Sequence, residues 1–126
     1  DAAATLMLAY KLFGSGLNTL SVAAMGDVAT GLTATGSDQA GAYEVTFAKN
    51  SFTSVPAGTG AVLDSDAAPG DAQLIYNGGA LALRIYPSSG AGINNLAANA
   101  AVLLAPATAC AFFMLTTTLW VGVLSA

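Results

Sequence analysis

"DAQLIYNGGALALRIY", residues 71–86, places two apolar runs on either side of Asn77-Gly78-Gly79. Asn-Gly supplies the positive φ angles of a tight hairpin turn, so this stretch predicts that "DAQLIY" pairs antiparallel with "ALALRIY". In the second run Leu81, Leu83 and Ile85 fall on one face and Ala82, Arg84 and Tyr86 on the other. The first face is expected in a core, the second at solvent or against a neighbouring subunit. The following "PSSGAGINNL" reads as a corner between strands. Pro87 removes a backbone donor and turns the chain away from the sheet, while Asn94 and Asn95 suit the backbone groups of a tight turn.

Working outward, "AYEVTF" alternates Tyr43, Val45 and Phe47 with Glu44 and Thr46, the period of a strand with one buried face. Further strands are expected over residues 51–55, 60–63, 72–76, 81–86, 101–104, 108–115 and 119–124. Their close spacing predicts an all-β fold, a small antiparallel β-sandwich or jelly-roll-like barrel. Ahead of it, Asp1 is a suitable N-cap for a helix over "AAATLMLAYKLF", and Gly14-Ser15-Gly16 a stop. Leu6, Tyr10 and Phe13 share one face of that helix, and Met7, Leu8 and Leu12 spread round it, so most of its sides need cover. Residues 16–41, rich in Gly, Ser, Thr and Ala, read as an extended arm with room for one short strand or a turn of helix. The expected division is an N-terminal helix and arm over 1–34 and a β-domain over 35–126.

Composition limits function. Hydrophobic residues make up 55% of the 126 and charged ones only 8%, against about 25% charged in soluble domains. Something other than water is expected to cover much of such a surface: a membrane, partner copies or a larger assembly. The cations are Lys11, Lys49 and Arg84 and the net charge is −4, which leaves no basic stripe for nucleic acid. Without histidine there is no Ser-His-Asp triad, Cys-His pair or histidine-based metal site. Cys110 is the single cysteine, cannot form an intrachain disulfide, and reads as a small buried hydrophobe. Asp64, Asp66 and Asp71 cluster as carboxylates for acid–base work or as oxygen ligands for Ca²⁺ would. Pro69 and Gly70 mark an exposed turn, and the EF-hand spacing is missing, so a solvated loop is expected. "NGG" and "GAG" lack the strand–loop–helix order of a phosphate cradle. No cofactor, metal or catalytic group is expected.

Residues 108–124, "TACAFFMLTTTLWVGVL", approach the length of a membrane-spanning helix. Thr116-Thr117-Thr118 at the centre, Pro106 before it and the lack of flanking Lys or Arg favour two strands joined by a turn instead. Phe112, Phe113 and Trp120 then belong to a core or a subunit interface rather than to a stacking platform.

In order as well as composition, residues 35–124 resemble a recurrent small domain of tailed-bacteriophage virion proteins. The matching pieces are "TGSDQAGAYEVT", "VPAGTGAVL", "AAPGDAQLIYNGGALALRIYPSSGAGINNL" and "ACAFFMLTTTLWVGV". Within them a Tyr86-Pro87 corner follows the hairpin, a Gly-x-Gly-Ile-Asn turn spans 90–94, and Trp120 starts the last strand. The resemblance implies a non-enzymatic, trimeric β-domain fixed to the virion at the capsid surface. Its implied partner is the major capsid protein or another virion protein, and its implied role is that of a cement or decoration subunit. In that picture Leu6, Tyr10 and Phe13 form an anchor onto the shell or neighbouring copies, and Tyr86, Pro87, Ile93 and Asn94 an interface loop. The alternatives are a tail or head-fibre receptor-binding module and a small membrane protein with a C-terminal span.

Overall fold

The structure, a computed structural model, describes residues 27–125. The expected N-terminal helix, with Leu6, Tyr10 and Phe13, lies outside the described residues. Those that are described form ten strands and no helix: β1 Val28–Thr33, β2 Tyr43–Glu44, β3 Lys49–Ser54, β4 Gly60–Val62, β5 Ala72–Asn77, β6 Leu83–Tyr86, β7 Gly92–Ile93, β8 Val102–Leu104, β9 Thr108–Thr116 and β10 Leu119–Leu124.

All-β is therefore right, but the antiparallel sandwich or jelly roll is not. From β1 to β9 the chain alternates between a six-stranded sheet, β1-β3-β5-β9-β10-β7, and a four-stranded one, β2-β4-β6-β8. The pairs β1–β3, β3–β5, β2–β4 and β4–β6 are all parallel. Parallel neighbours need a crossover, and here each crossover is a strand of the opposite sheet. The result is a short solenoid whose coils set Val28 beside Lys49 and Lys49 beside Leu74. Winding then reverses. β8 runs antiparallel to β6 and β9 antiparallel to β5, and β10 folds back on β9.

The proposed hairpin at Asn77 is accordingly corrected: β5 and β6 lie in different sheets and do not pair. Neither Gly78 nor Gly79 has the positive φ that an Asn-Gly hairpin turn requires. Asn77 is fully buried, and its Nδ2 donates to the carbonyls of Leu81 and Leu104, both at 2.8 Å, while Oδ1 accepts from Gly79 N at 2.9 Å. Gly78 N donates to Phe52 O one coil below at 2.7 Å. A Cβ on Gly78 would stand 2.9 Å from that oxygen, and one on Gly79 2.8 Å from Val55 Cγ2. Close approach of the coils, not handedness, is what selects glycine here.

One core fills the space between the sheets. Phe52, Ile75, Phe112 and Trp120 project from the larger sheet toward Ala61, Leu83, Ile85 and Leu104 of the smaller. Gly122 of β10 faces the same way, and the lack of a side chain leaves room for Phe112, whose Cε1 would be 3.2 Å from a Cβ there. The alternation expected of "AYEVTF" holds only at Val45. Tyr43 and Phe47 are exposed because β2 is two residues long and Phe47 sits beyond it in a bend. Residues 108–124 form the β9–β10 hairpin and not a helix, and no helix among the described residues is long and apolar enough to cross a membrane. β1 is the short strand that the arm had room for. It forms the edge of the larger sheet although it precedes residue 35.

Asn77→Asp removes both amide donors from a buried corner and sets a carboxylate against two carbonyls. A loss of about 3 kcal/mol is expected, read as a lower urea midpoint at neutral pH; an unchanged midpoint would show that the corner is not held this way.

Candidate functional site

The outer face of the larger sheet is the most unusual surface of the described chain. Strand alternation turns Cys110, Phe112 and Met114 of β9 inward and Ala109, Ala111, Phe113 and Leu115 outward. Register extends this into cross-strand rows: Leu74–Ala111–Val123, Ala72–Phe113–Val121, and Tyr76 beside Ala109. Phe113 is 42% exposed, Leu115 57%, Val123 58% and Tyr76 40%. No side chain in these rows carries a charge. The first charge on this face is Lys49, one strand further out at the start of β3, where it lies beside Leu74.

The sequence-predicted loop divides differently. Pro87 and Ile93 are buried and offer no surface to a partner, whereas Tyr86 is half-buried and Asn94 exposed. Residues 92–93 form β7, parallel to β10, with Gly92 opposite Leu119 and Ile93 opposite Trp120. Asn94, at a φ of 54°, donates its backbone N–H to Trp120 O at 2.8 Å and accepts from Gly122 N through Oδ1 at 3.0 Å. Trp120 is fully buried and its Nε1 donates to Ser88 Oγ at 3.1 Å. Gln39 Nε2 donates to Pro87 O and to Asn99 Oδ1. The loop's polar groups thus fasten β10 and its tryptophan into the fold. Sequence reading found the corner but not its partners, which lie far along the chain.

The aspartates of 64–71 bond to their own turn. Asp64 Oδ1 accepts from Asp66 N, and Asp71 Oδ2 from Ala68 N, both at 2.9 Å. No cluster of three or more His, Cys, Asp or Glu among the described residues is arranged to hold a metal ion. Glu44 reaches this turn from β2, its Oε2 accepting from Ser65 N at 2.8 Å and Ser65 Oγ at 2.7 Å. The backbone bond first and the hydroxyl second hold the Glu44 carboxyl below its ordinary value, against a smaller desolvation effect. Beside the turn lies an open groove of about 480 Å³, with Phe47, Ala67 and Ala72 among its apolar lining and Asp27, Asp64 and Asp71 among its acidic lining. A smaller depression of about 160 Å³ opens between the sheets at the β8–β10 end, against Val102, Cys110 and Leu124. Burial pushes the Cys110 thiol up, more than its hydrogen bond with the Val123 backbone lowers it. An uncharged thiol suits the packing role expected of it.

No family model, curated protein or solved structure matches the chain.

Since the folded pKa of Glu44 is depressed, its link to Ser65 is fully stabilising above the ordinary value of 4.5 and is lost as pH falls through the folded value. An exposed bond of this kind contributes about 1 kcal/mol or less. Glu44→Gln is therefore expected to lower the urea midpoint slightly at pH 7, with the two midpoints converging in acid; a gap that does not change with pH would contradict the assignment.

Proposed function

We propose that this chain is a non-enzymatic structural subunit of a bacteriophage virion, a cement or decoration protein that associates with its own copies and with the capsid shell. The observation that carries this reading is the uncharged outer face of β5, β9 and β10. An apolar sheet face of this kind gains free energy when a partner removes it from water, at about 25 cal/mol for each Å² buried, and contiguous exposed apolar patches mark interaction surfaces. Copies that each carry a net charge of −4 repel one another least where the contacting surfaces are neutral. Self-complementary apolar patches also suit closed symmetric assembly, in which the same face is used by every copy.

The resemblance of the sequence pieces, in their order, to phage virion domains suggests the biological setting, and the low charge of the whole chain agrees with permanent contact rather than free diffusion. A trimer bound to the major capsid protein is the form that the resemblance favours. Aromatic exposure at Phe47, outside any strand, is what a receptor-binding module would present, but it is one ring beside an acidic groove and not a platform of several.

Leu115→Glu with Val123→Lys places charges on the outer face without touching an inward-facing residue. Native mass measurement in detergent-free buffer is expected to show a discrete oligomer for the wild-type chain and a folded monomer for the variant. The variant should also fail to sediment with phage heads that lack their own decoration protein. A variant that assembles and binds heads as the wild type does would remove the outer face from the proposal.

A further inference from the structure

We infer that the exposed edge of β8 is a seat for an extended segment of a partner polypeptide, which adds a further strand to the smaller sheet. This edge lies apart from the outer face of β5, β9 and β10, and the inference holds whether or not that face assembles. β8 packs against β9, so β10 and β7 carry the larger sheet past the last strand of the smaller one. The loop through Ser88 covers this overhang at Trp120. Further along β10, Gly122 and Leu124 border the depression of about 160 Å³, with Val102, Leu104, Cys110 and Phe112 among its other apolar walls. A cavity of about 150 Å³ accommodates a benzene ring, so the room here suits one side chain of valine or leucine size.

Backbone hydrogen bonding points to the same edge. Arg84 N donates to Thr59 O and Tyr86 O accepts from Leu63 N, so both residues bond toward β4. Antiparallel alternation then directs Leu83 and Ile85 to β8, opposite Leu104 and Val102. Leu103, opposite Arg84, is left with its N–H and C=O aimed away from β6, and neither has a hydrogen bond among the described residues. Its side chain is 67% exposed. An antiparallel strand that exchanges both bonds with Leu103 sets one residue beside it on the outside of the sheet and turns the two neighbours of that residue over the depression.

Arg84 defines the chemistry of the outward residue. It shares a cross-strand row with Leu103, and its guanidinium has no ion pair or hydrogen bond with a described residue. A carboxylate one strand beyond Leu103 is within reach of the long arginine side chain and complements its charge. The occupant is therefore apolar at alternate residues and acidic between them. It is a single segment rather than a second folded copy. Two copies joined at β8 about a two-fold axis would drive the β10 and β7 overhang of each into that of the other.

The probe is the blocked heptapeptide Thr-Thr-Val-Glu-Val-Thr-Thr, titrated into the full ¹⁵N-labelled chain and read by amide shifts and hydrogen exchange. Saturable binding is expected, with exchange at the Leu103 amide slowed in the complex. Serine in place of both valines should weaken binding about tenfold, and glutamine in place of glutamate about threefold. Arg84→Gln should cost the glutamate peptide the same factor and leave the glutamine peptide unaffected. Leu103→Pro removes the edge donor without taking a bond from β6, so binding should be lost while the circular dichroism spectrum is kept. N-methylation of the peptide's glutamate removes the matching donor from the probe and tests the same pair of bonds with the protein unaltered. Absence of a saturable shift would overturn the inference. So would a Leu103 amide already protected in the chain alone, or binding indifferent to the valines and to the N-methyl group. None of these readings involves oligomer mass or phage heads, so they fail separately from the outer-face proposal.

Discussion

The fold turns on a buried asparagine. Parallel coils can stack only if the chain leaves each strand sharply and crosses to the other sheet, and a sharp corner buries backbone carbonyls that the β-ladders cannot reach. Asn77 meets that need with one amide. Its two N–H bonds bind Leu81 O before β6 and Leu104 O at the end of β8, and its oxygen takes Gly79 N. Its own carbonyl accepts from Ala107 N as the chain enters β9. A single side chain thus ties the third coil to the point where winding reverses. Glycines beside it let the coil below approach closely, because a Cβ at either position would collide with Phe52 O or Val55.

Reversal has its own logic. A parallel solenoid presents an unpaired strand edge at each end and requires capping. At the C-terminal side β9 lies antiparallel on β5, which ends the parallel series, and β10 covers β9. The remaining edge of β10 is partly closed by β7 and partly by Asn94, whose Oδ1 takes Gly122 N where no strand continues. Trp120 and Ser88 join this closure to the core. The corner expected over residues 87–96 is thus part of a cap assembled from separate stretches of chain.

Much of the secondary structure was legible because local pattern governs it. The alternation in residues 108–115 and 119–124, with threonines between, gave β9 and β10, and Leu83 and Ile85 do face the core, whereas Leu81, expected on the same face, precedes β6 and is exposed. Topology was not legible, for a physical reason. Asn-Gly-Gly between two apolar runs looks the same whether the runs pair with each other or turn into opposite sheets, and what distinguishes them is a contact with Phe52, twenty-five residues before Asn77. Coils of unequal length also hide the period: Val28 aligns with Lys49, but Lys49 with Leu74. β7 escapes the pattern because two residues carry no periodicity, and Pro87, placed by resemblance in an interface loop, is buried although proline is mostly exposed. The outer apolar face was implicit in the shortage of charge, but only the register shows that the apolar residues align.

That alignment explains how so uncharged a chain remains a defined structure. The inner rows of the larger sheet mix large apolar groups with Asn50, Gln73 and Asn77, each bonded to backbone, so the core is pinned at fixed positions. The outer rows carry no comparable polar markers. A two-residue register slip would bring outward apolar residues into similar rows, yet it would strand the inward amides away from their carbonyls, at about 1–3 kcal/mol for each lost partner. The buried amides therefore set the register, and the outer face is free to be as apolar as a partner surface requires. Stability rests on the inner face of these strands, and the assembly proposed above on the outer face of the same strands.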